Sequence, residues 1–234
     1  MRVSGFGTVY DWAMFKLDID LANIRDIKDN YIRFTKVPLI DHFSVGHMKE
    51  PFSLEGWASM KAATFMKRAL PTDAFWTGRN IGIRRHTTGL DERMTWAVGA
   101  FLNTGSFGDL GETKDQISDA NGWNLTGRIT YLPWYEEGGR RLLHLGLSYT
   151  HQIRGEGVET DRRARPETFL TDDRLVDTGR FLNDYADQIN PEFAMVTGPL
   201  SFQGEYFHLF NKAEALGDPK FWGFYLYGSS FLAG

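Results

Sequence analysis

Leu143-His144-Leu145-Gly146-Leu147-Ser148-Tyr149-Thr150 is the stretch whose reading decides the fold. Leu143, Leu145, Leu147 and Tyr149 take every second position, and His144, Gly146, Ser148 and Thr150 fill the gaps. Successive side chains of an extended chain point to opposite faces, so this is a strand with one greasy and one polar face. The period recurs along the chain. Leu17, Ile19 and Leu21 oppose Lys16, Asp18 and Asp20; Ile81 and Ile83 oppose Asn80, Gly82, Arg84 and His86. Leu125, Ile129 and Tyr131 oppose Thr126, Arg128 and Thr130; Leu200, Phe202 and Tyr206 oppose Ser201, Gln203 and Glu205. Several polar faces carry charge.

Eleven strands are expected, at about 2–9, 11–22, 29–37, 41–48, 79–88, 94–103, 123–132, 141–152, 191–197, 200–210 and 221–232. The eight prolines, Pro38, Pro51, Pro71, Pro133, Pro166, Pro191, Pro199 and Pro219, are read as lying at or between run ends. That placement suits a residue with no N–H for a ladder. Short connections fall near Tyr10-Asp11, Pro38–Ile40, Gly89–Arg93, Pro133–Arg140 and Gly198-Pro199, and alternate with 23–28, 49–78, 104–122, 153–190 and 211–220. Short turns at one end and long loops at the other are the pattern of an outer-membrane β-barrel. Trp12, Trp134 and Tyr135 at the short-turn ends, and Trp123, Phe221 and Trp222 at the long-loop ends, fit interfacial girdles.

Composition narrows the class. Of 234 residues, 42% are apolar and 15% aromatic, too many for a disordered chain. No apolar run approaches the ~18 residues of a membrane helix. Cysteine is absent, which excludes disulfides, thiolate zinc sites and a Cys nucleophile. The net charge of -4 gives no reason to expect nucleic acid as a partner. Met1 is followed by Arg2-Val3-Ser4-Gly5-Phe6-Gly7, with no apolar core of a signal peptide. Both ends look cut, and the chain is read as a single partial barrel domain over 1–234, apparently a fragment.

One stretch reads as helical. Within 53–70, Leu54, Trp57, Ala58, Met66, Ala69 and Leu70 recur at helical spacing, Ser53 is a candidate N-cap, and Pro71 is expected to end the helix. A helix inside a long barrel loop suggests a loop folded into the lumen.

Three groups of residues carry a family resemblance. They are Met48-Lys49-Glu50-Pro51-Phe52-Ser53-Leu54-Glu55, then Thr64-Phe65-Met66-Lys67-Arg68-Ala69-Leu70-Pro71, then Gly78-Arg79-Asn80-Ile81-Gly82. Here the chain resembles the phosphate-selective porins O and P, around their inward-folded third loop. Pro166-Glu167, Val176-Asp177-Thr178-Gly179 and Gly198-Pro199-Leu200-Ser201-Phe202-Gln203-Gly204-Glu205-Tyr206 resemble the later barrel of that family. The resemblance implies an all-β, antiparallel transmembrane barrel of sixteen strands. It also implies a homotrimer in the bacterial outer membrane, in contact with its lipid, with rows of Arg and Lys in the lumen. This chain would supply about eleven of those strands and lack the first residues and the last strands. An open edge in lipid leaves backbone groups unsatisfied, so closure needs more strands.

Charge placement supports an anion channel. Residues 47–86 carry seven cations (Lys49, Lys61, Lys67, Arg68, Arg79, Arg84, Arg85) against three anions (Glu50, Glu55, Asp73). The remainder holds 19 cations and 27 anions. A ring of Arg and Lys in a narrow pore selects anions, and Arg matches phosphate bidentately. The expected constriction is 49–78, with Lys49, Glu50 and Pro51 as its motif. The expected anion pathway is Lys61, Lys67, Arg68, Arg79, Arg84, Arg33 and Arg128, and inorganic phosphate or another small anion is the expected partner. For Arg33, Arg84 and Arg128 the alternative is a lumen salt bridge to Asp18, Asp20 or Glu205. For Lys61, Lys67 and Arg68 it is a solvated helix face. Arg79 equally suits a loop anchor, and Arg85 is read as snorkelling to the interface.

No enzyme is read here. The six histidines form no HExxH pair, there is no GxSxG elbow, and no catalytic residue or cofactor is assigned. The external loop 153–190 carries nine acids, but Asp172, Asp173 and Asp177 lack EF-hand spacing, so no metal is assigned. A general, non-specific porin is the alternative within transport. A soluble β-sandwich binding domain is the alternative from another class.

Overall fold

The computed structural model describes residues 2–21, 26–37, 41–104, 122–168, 170–171 and 173–232. Eleven strands form one antiparallel sheet. They are β1 Arg2–Val9, β2 Ala13–Asp20, β3 Asp26–Val37, β4 Asp41–Lys49, β5 Arg79–Gly89, β6 Met94–Leu102, β7 Gly122–Glu136, β8 Arg141–Arg154, β13 Tyr185–Thr197, β14 Leu200–Lys212 and β15 Lys220–Ser230. Four two-residue strands lie between β8 and β13: β9 Glu159–Thr160 pairs with β12 Phe181–Leu182, and β10 Arg163–Ala164 pairs with β11 Val176–Asp177. Each large strand pairs with its neighbours in that order, a meander whose edges are β1 and β15. The sheet is not closed into a barrel. The expected turn 38–40, most of the expected loop 104–122, part of 23–28 and Asp172 lie outside the described residues.

The meander sorts its connections. Tyr10–Trp12, Leu90–Arg93, Glu137–Gly139 and Gly198–Pro199 turn the chain at one end. The segments 50–78 and 155–184 span the other.

Burial is reversed relative to a water-soluble sheet. On β8, Leu145 and Leu147 are each 45% exposed, whereas Ser148 and Thr150 are fully covered. Phe15, Leu17, Ile32, Val45, Ile83, Val98, Leu125, Ile129, Phe202, Phe224 and Leu226 are also exposed. Asp18, Ser44, Asn80, Arg84, Asn124, Thr126, Gln188, Asn190, Glu192 and Glu205 are buried. A sandwich dissolved in water would bury the first group and expose the second. A belt of apolar side chains around a polar interior is what lipid outside and water inside require. No helix among the described residues is long and apolar enough to cross a membrane.

Three local expectations need correction. The helix expected over 53–70 is broken into α1 Leu54–Trp57, a 3-10 turn at Met60–Ala62 and α2 Leu70–Phe75. Pro71 does not end a helix but opens α2, where its missing N–H has no partner to lose. Pro133 and Pro191 lie inside strands. The β7–β8 register shifts between Tyr131 and Trp134, a bulge that accommodates Pro133. The β13–β14 ladder skips Asn190 and Pro191, and Asn190 Nδ2 donates to the Tyr206 carbonyl at 3.1 Å instead.

Candidate functional site

The segment 50–78 folds across the polar face. Its neck is closed by Glu50 N–H donating to the Gly78 carbonyl at 3.2 Å. Gly78 takes φ +80°, a conformation that favours glycine. Ser53 holds φ +68° without being glycine, and its surroundings fix it there. Its N–H donates to Ser148 Oγ (3.3 Å), and its own Oγ caps α1 by accepting from Gly56 N–H (2.9 Å).

Glu50 is fully buried against the wall. Its Oε1 accepts from Asn80 Nδ2 (2.6 Å) and Asn124 Nδ2 (2.7 Å), and its Oε2 accepts from Thr126 Oγ1 (2.6 Å). Burial pushes its carboxyl above the ordinary range, against the pull of those three donors. Glu205 of β14 receives α1: Leu54 N–H and Glu55 N–H donate to its two oxygens at 3.1 and 2.7 Å. Asn190 Nδ2 (3.2 Å) and Tyr225 Oη (2.8 Å) donate to the same carboxylate. Glu55 ties the two helices together, accepting from Ala69 N–H (2.9 Å) and Thr72 Oγ1 (2.8 Å). Burial holds Glu55 high as well.

The same segment brings an apolar core into the polar interior. Phe52, Ala74 and Phe75 pack with Phe207 and Leu209 of β14, Ala186 of β13 and Ala164. Phe75 stacks on Phe207 at 5.6 Å between centroids. Gln188 Nε2 donates to the Phe75 carbonyl at 3.0 Å. The interior beside β13 and β14 is therefore filled.

The basic residues separate into two groups. Lys67 is buried and pairs with Asp73 at 2.8 Å. Arg68 donates to the Glu55 carbonyl (2.9 Å) and lies 4.4 Å over the Trp76 ring. Lys49 Nζ caps the end of α1 at the carbonyls of Gly56, Trp57 and Ala58, 2.7–3.0 Å away. Arg79 pairs with Asp29 (2.7 Å), which Lys16 shares. Arg128 grips Glu192 with two nitrogens, at 3.2 and 2.5 Å, and His144 Nε2 lies 2.9 Å from the same carboxylate. Glu192 is thus the partner of Arg128, in place of the expected Asp18, Asp20 or Glu205. Arg85 stacks over Trp96 at 4.7 Å.

Lys61, Arg33 and Arg84 form the other group. Among the described residues none of them has a carboxylate within ion-pair distance. Lys61 is exposed on the loop. Arg33 donates to Ser44 Oγ (3.3 Å) and Tyr31 Oη (3.2 Å). Arg84 donates to the Lys49 carbonyl (3.0 Å) and lies 4.7 Å over Trp57 of α1. Arg33 is in register with Ser44, and Ser44 with Arg84, so the two arginines flank one serine across three strands.

The model of the family described as "Phosphate-selective porin O and P" matches residues 3–234. The chain belongs to that family. A protein of Caulobacter vibrioides named only "Uncharacterized protein" is 25% identical over 244 residues, a match covering 100% of this chain and 47% of that protein. The chain spans about half the length of the curated relative it matches. The family is one of channels rather than enzymes.

In this porin, Glu192, Ser148, Asn190, Gln188, Asn124 and Thr126 were not singled out as functional from the sequence. They look like ordinary polar-face residues until the register brings them to the loop. Phe207 and Leu209 did leave a signal: in Tyr206-Phe207-His208-Leu209-Phe210 they put apolar residues on the inward face as well, and that face is covered while Tyr206 and Phe210 stay exposed.

Proposed function

We propose that this porin passes small anions, inorganic phosphate or polyphosphate among them, by passive diffusion past the loop 49–78. The observation that carries the reading is that, among the described residues, Arg33 and Arg84 on the wall and Lys61 on the loop have no carboxylate within ion-pair distance, and Lys49 and Arg68 engage only carbonyls and an aromatic ring. Cations left uncompensated beside a narrow aqueous path replace part of an anion's hydration and repel other cations. The family match supports phosphate as the substrate class. Location in the bacterial outer membrane is supported by the outward apolar belt; the homotrimer is part of the same proposal and rests on the family resemblance.

A general, non-specific porin is the second reading. It is favoured by the engagement of Lys67, Arg68, Arg79 and Arg128 with the protein's own acceptors, which reduces the net field of the pathway. The test is neutralisation of Lys61, Arg33 and Arg84 to glutamine in the full-length protein. Anion over cation permeability in planar bilayers should fall several-fold. An unchanged ratio would refute the assignment of those three residues.

A further inference from the structure

Glu205 is a carboxylate on the inward face of β14, buried to 3% exposure. Among the described residues no cation lies within ion-pair distance of it. Four donors converge on it instead. Two are backbone amides at the start of α1, Leu54 N–H and Glu55 N–H. Two come from the wall, Asn190 of β13 and Tyr225 of β15. Tyr225 is itself held by Gln203 Nε2 at 2.7 Å. The charged groups that act on this site include the carboxylates Glu55 and Glu192, which are like-charged, and the guanidinium of Arg68, which acts from beyond ion-pair distance. A cost of that kind is retained only where the donors are fixed.

We propose that Glu205 is the positioning residue of the constriction, acting through the α1 backbone to set how far the loop reaches into the lumen. This rests on the porin reading above. α1 carries Trp57, and Trp57 lies against Arg84, so a displaced α1 also displaces the aromatic partner of an anion-path arginine. Backbone amides are present whatever the loop's side chains are, so the loop offers no residue in its sequence to mark this contact.

The chemistry predicts a graded series. In Glu205→Gln one oxygen becomes an NH2 that faces two donors, so two hydrogen bonds are lost and donors oppose donors. Glu205→Asp keeps the carboxylate on a shorter stem. Tyr225→Phe removes one donor and leaves both α1 amides bound. Of the two bonds that Glu205→Gln loses, one is to an α1 amide and one to the wall, and each lost hydrogen bond between a charged acceptor and an α1 amide shifts the docked-to-displaced ratio by about tenfold or more.

The experiment is single-channel recording of the full-length porin, wild type and the three variants, with the reversal potential under a salt gradient. Glu205→Gln should show open-channel current steps about tenfold more often than wild type, and a reversal potential closer to zero. Tyr225→Phe should fall between, and Glu205→Asp should recover part of the wild-type behaviour. A role in fold stability alone would lower assembly yield or melting temperature and leave the current of assembled pores unchanged. That result, in Glu205→Gln or in Tyr225→Phe if the first fails to assemble, overturns the proposal. Absence of channels in the wild type itself would instead overturn the porin reading.

Discussion

Glu192 shows how a single carboxylate on the polar face takes up a neighbouring cation. Its side chain is fully covered and holds Arg128 with two contacts and His144 with a third. Removing one partner from a buried ion pair leaves an uncompensated charge and costs about 3–5 kcal/mol. Glu192→Gln should therefore lower the melting temperature in detergent and, by freeing Arg128, raise anion selectivity; no change in either would contradict the pairing. Glu50 gives a pH prediction. Its carboxyl is raised in the docked loop above its ordinary value of 4.5, so the docked state binds the proton more tightly than a released loop does. Docking is then strongest below that ordinary value and weakens as pH rises through the raised one. Current fluctuations should be fewer at about pH 5 than at about pH 8, and Glu50→Gln should flatten the trend. Fluctuations that increase on acidification would contradict the sign. None of these pairings was legible in the sequence. Arg128 and Glu192 are 64 residues apart, and only the register of β7, β8 and β13 brings them together.

The strands were legible because period two survives any tertiary context that keeps one face in lipid. The eleven expected strands all form, with ends shifted by a few residues; β13 starts at Tyr185 where 191 was expected. The loop helix was only half legible. Its spacing over 53–70 is helical, but Lys49 and Arg68 capture the carbonyls of α1 that a continuing helix would need, and the turn breaks there. No local pattern carries that competition. The loop's own core was missed because Phe52 and Phe75 have no partner until Phe207 is placed on the inward face of β14. Phe75→Ala removes the stacked ring from this core and should cost about 3–5 kcal/mol. The loss should appear as a less protected 50–78 in hydrogen exchange, with the strand amides unchanged. Equal loss of protection across the strands would show that the loop is not a separable unit.

Across the sheet, among the described residues, most strand faces turn apolar side chains outward and polar ones inward, the inward core around Phe207 and Leu209 apart, and that reversal fits a membrane barrel. Leu145→Arg puts a charge on the outward face and should cost about 2–4 kcal/mol if the position lies near the bilayer midplane. Refolding yield into lipid vesicles should fall, while a protein that stayed soluble without detergent would contradict the reading altogether. The interior beside β13 and β14 is filled, and the proposed path for permeation therefore runs along the β3–β5 wall, with Arg33 and Arg84. The central claim is that anions are selected there. It is tested most directly by the reversal potential of the full-length wild-type porin in a planar bilayer under a salt gradient, with and without added phosphate. The account predicts a strongly anion-selective pore whose chloride current phosphate blocks. A weakly selective or cation-selective pore, indifferent to phosphate, would contradict it.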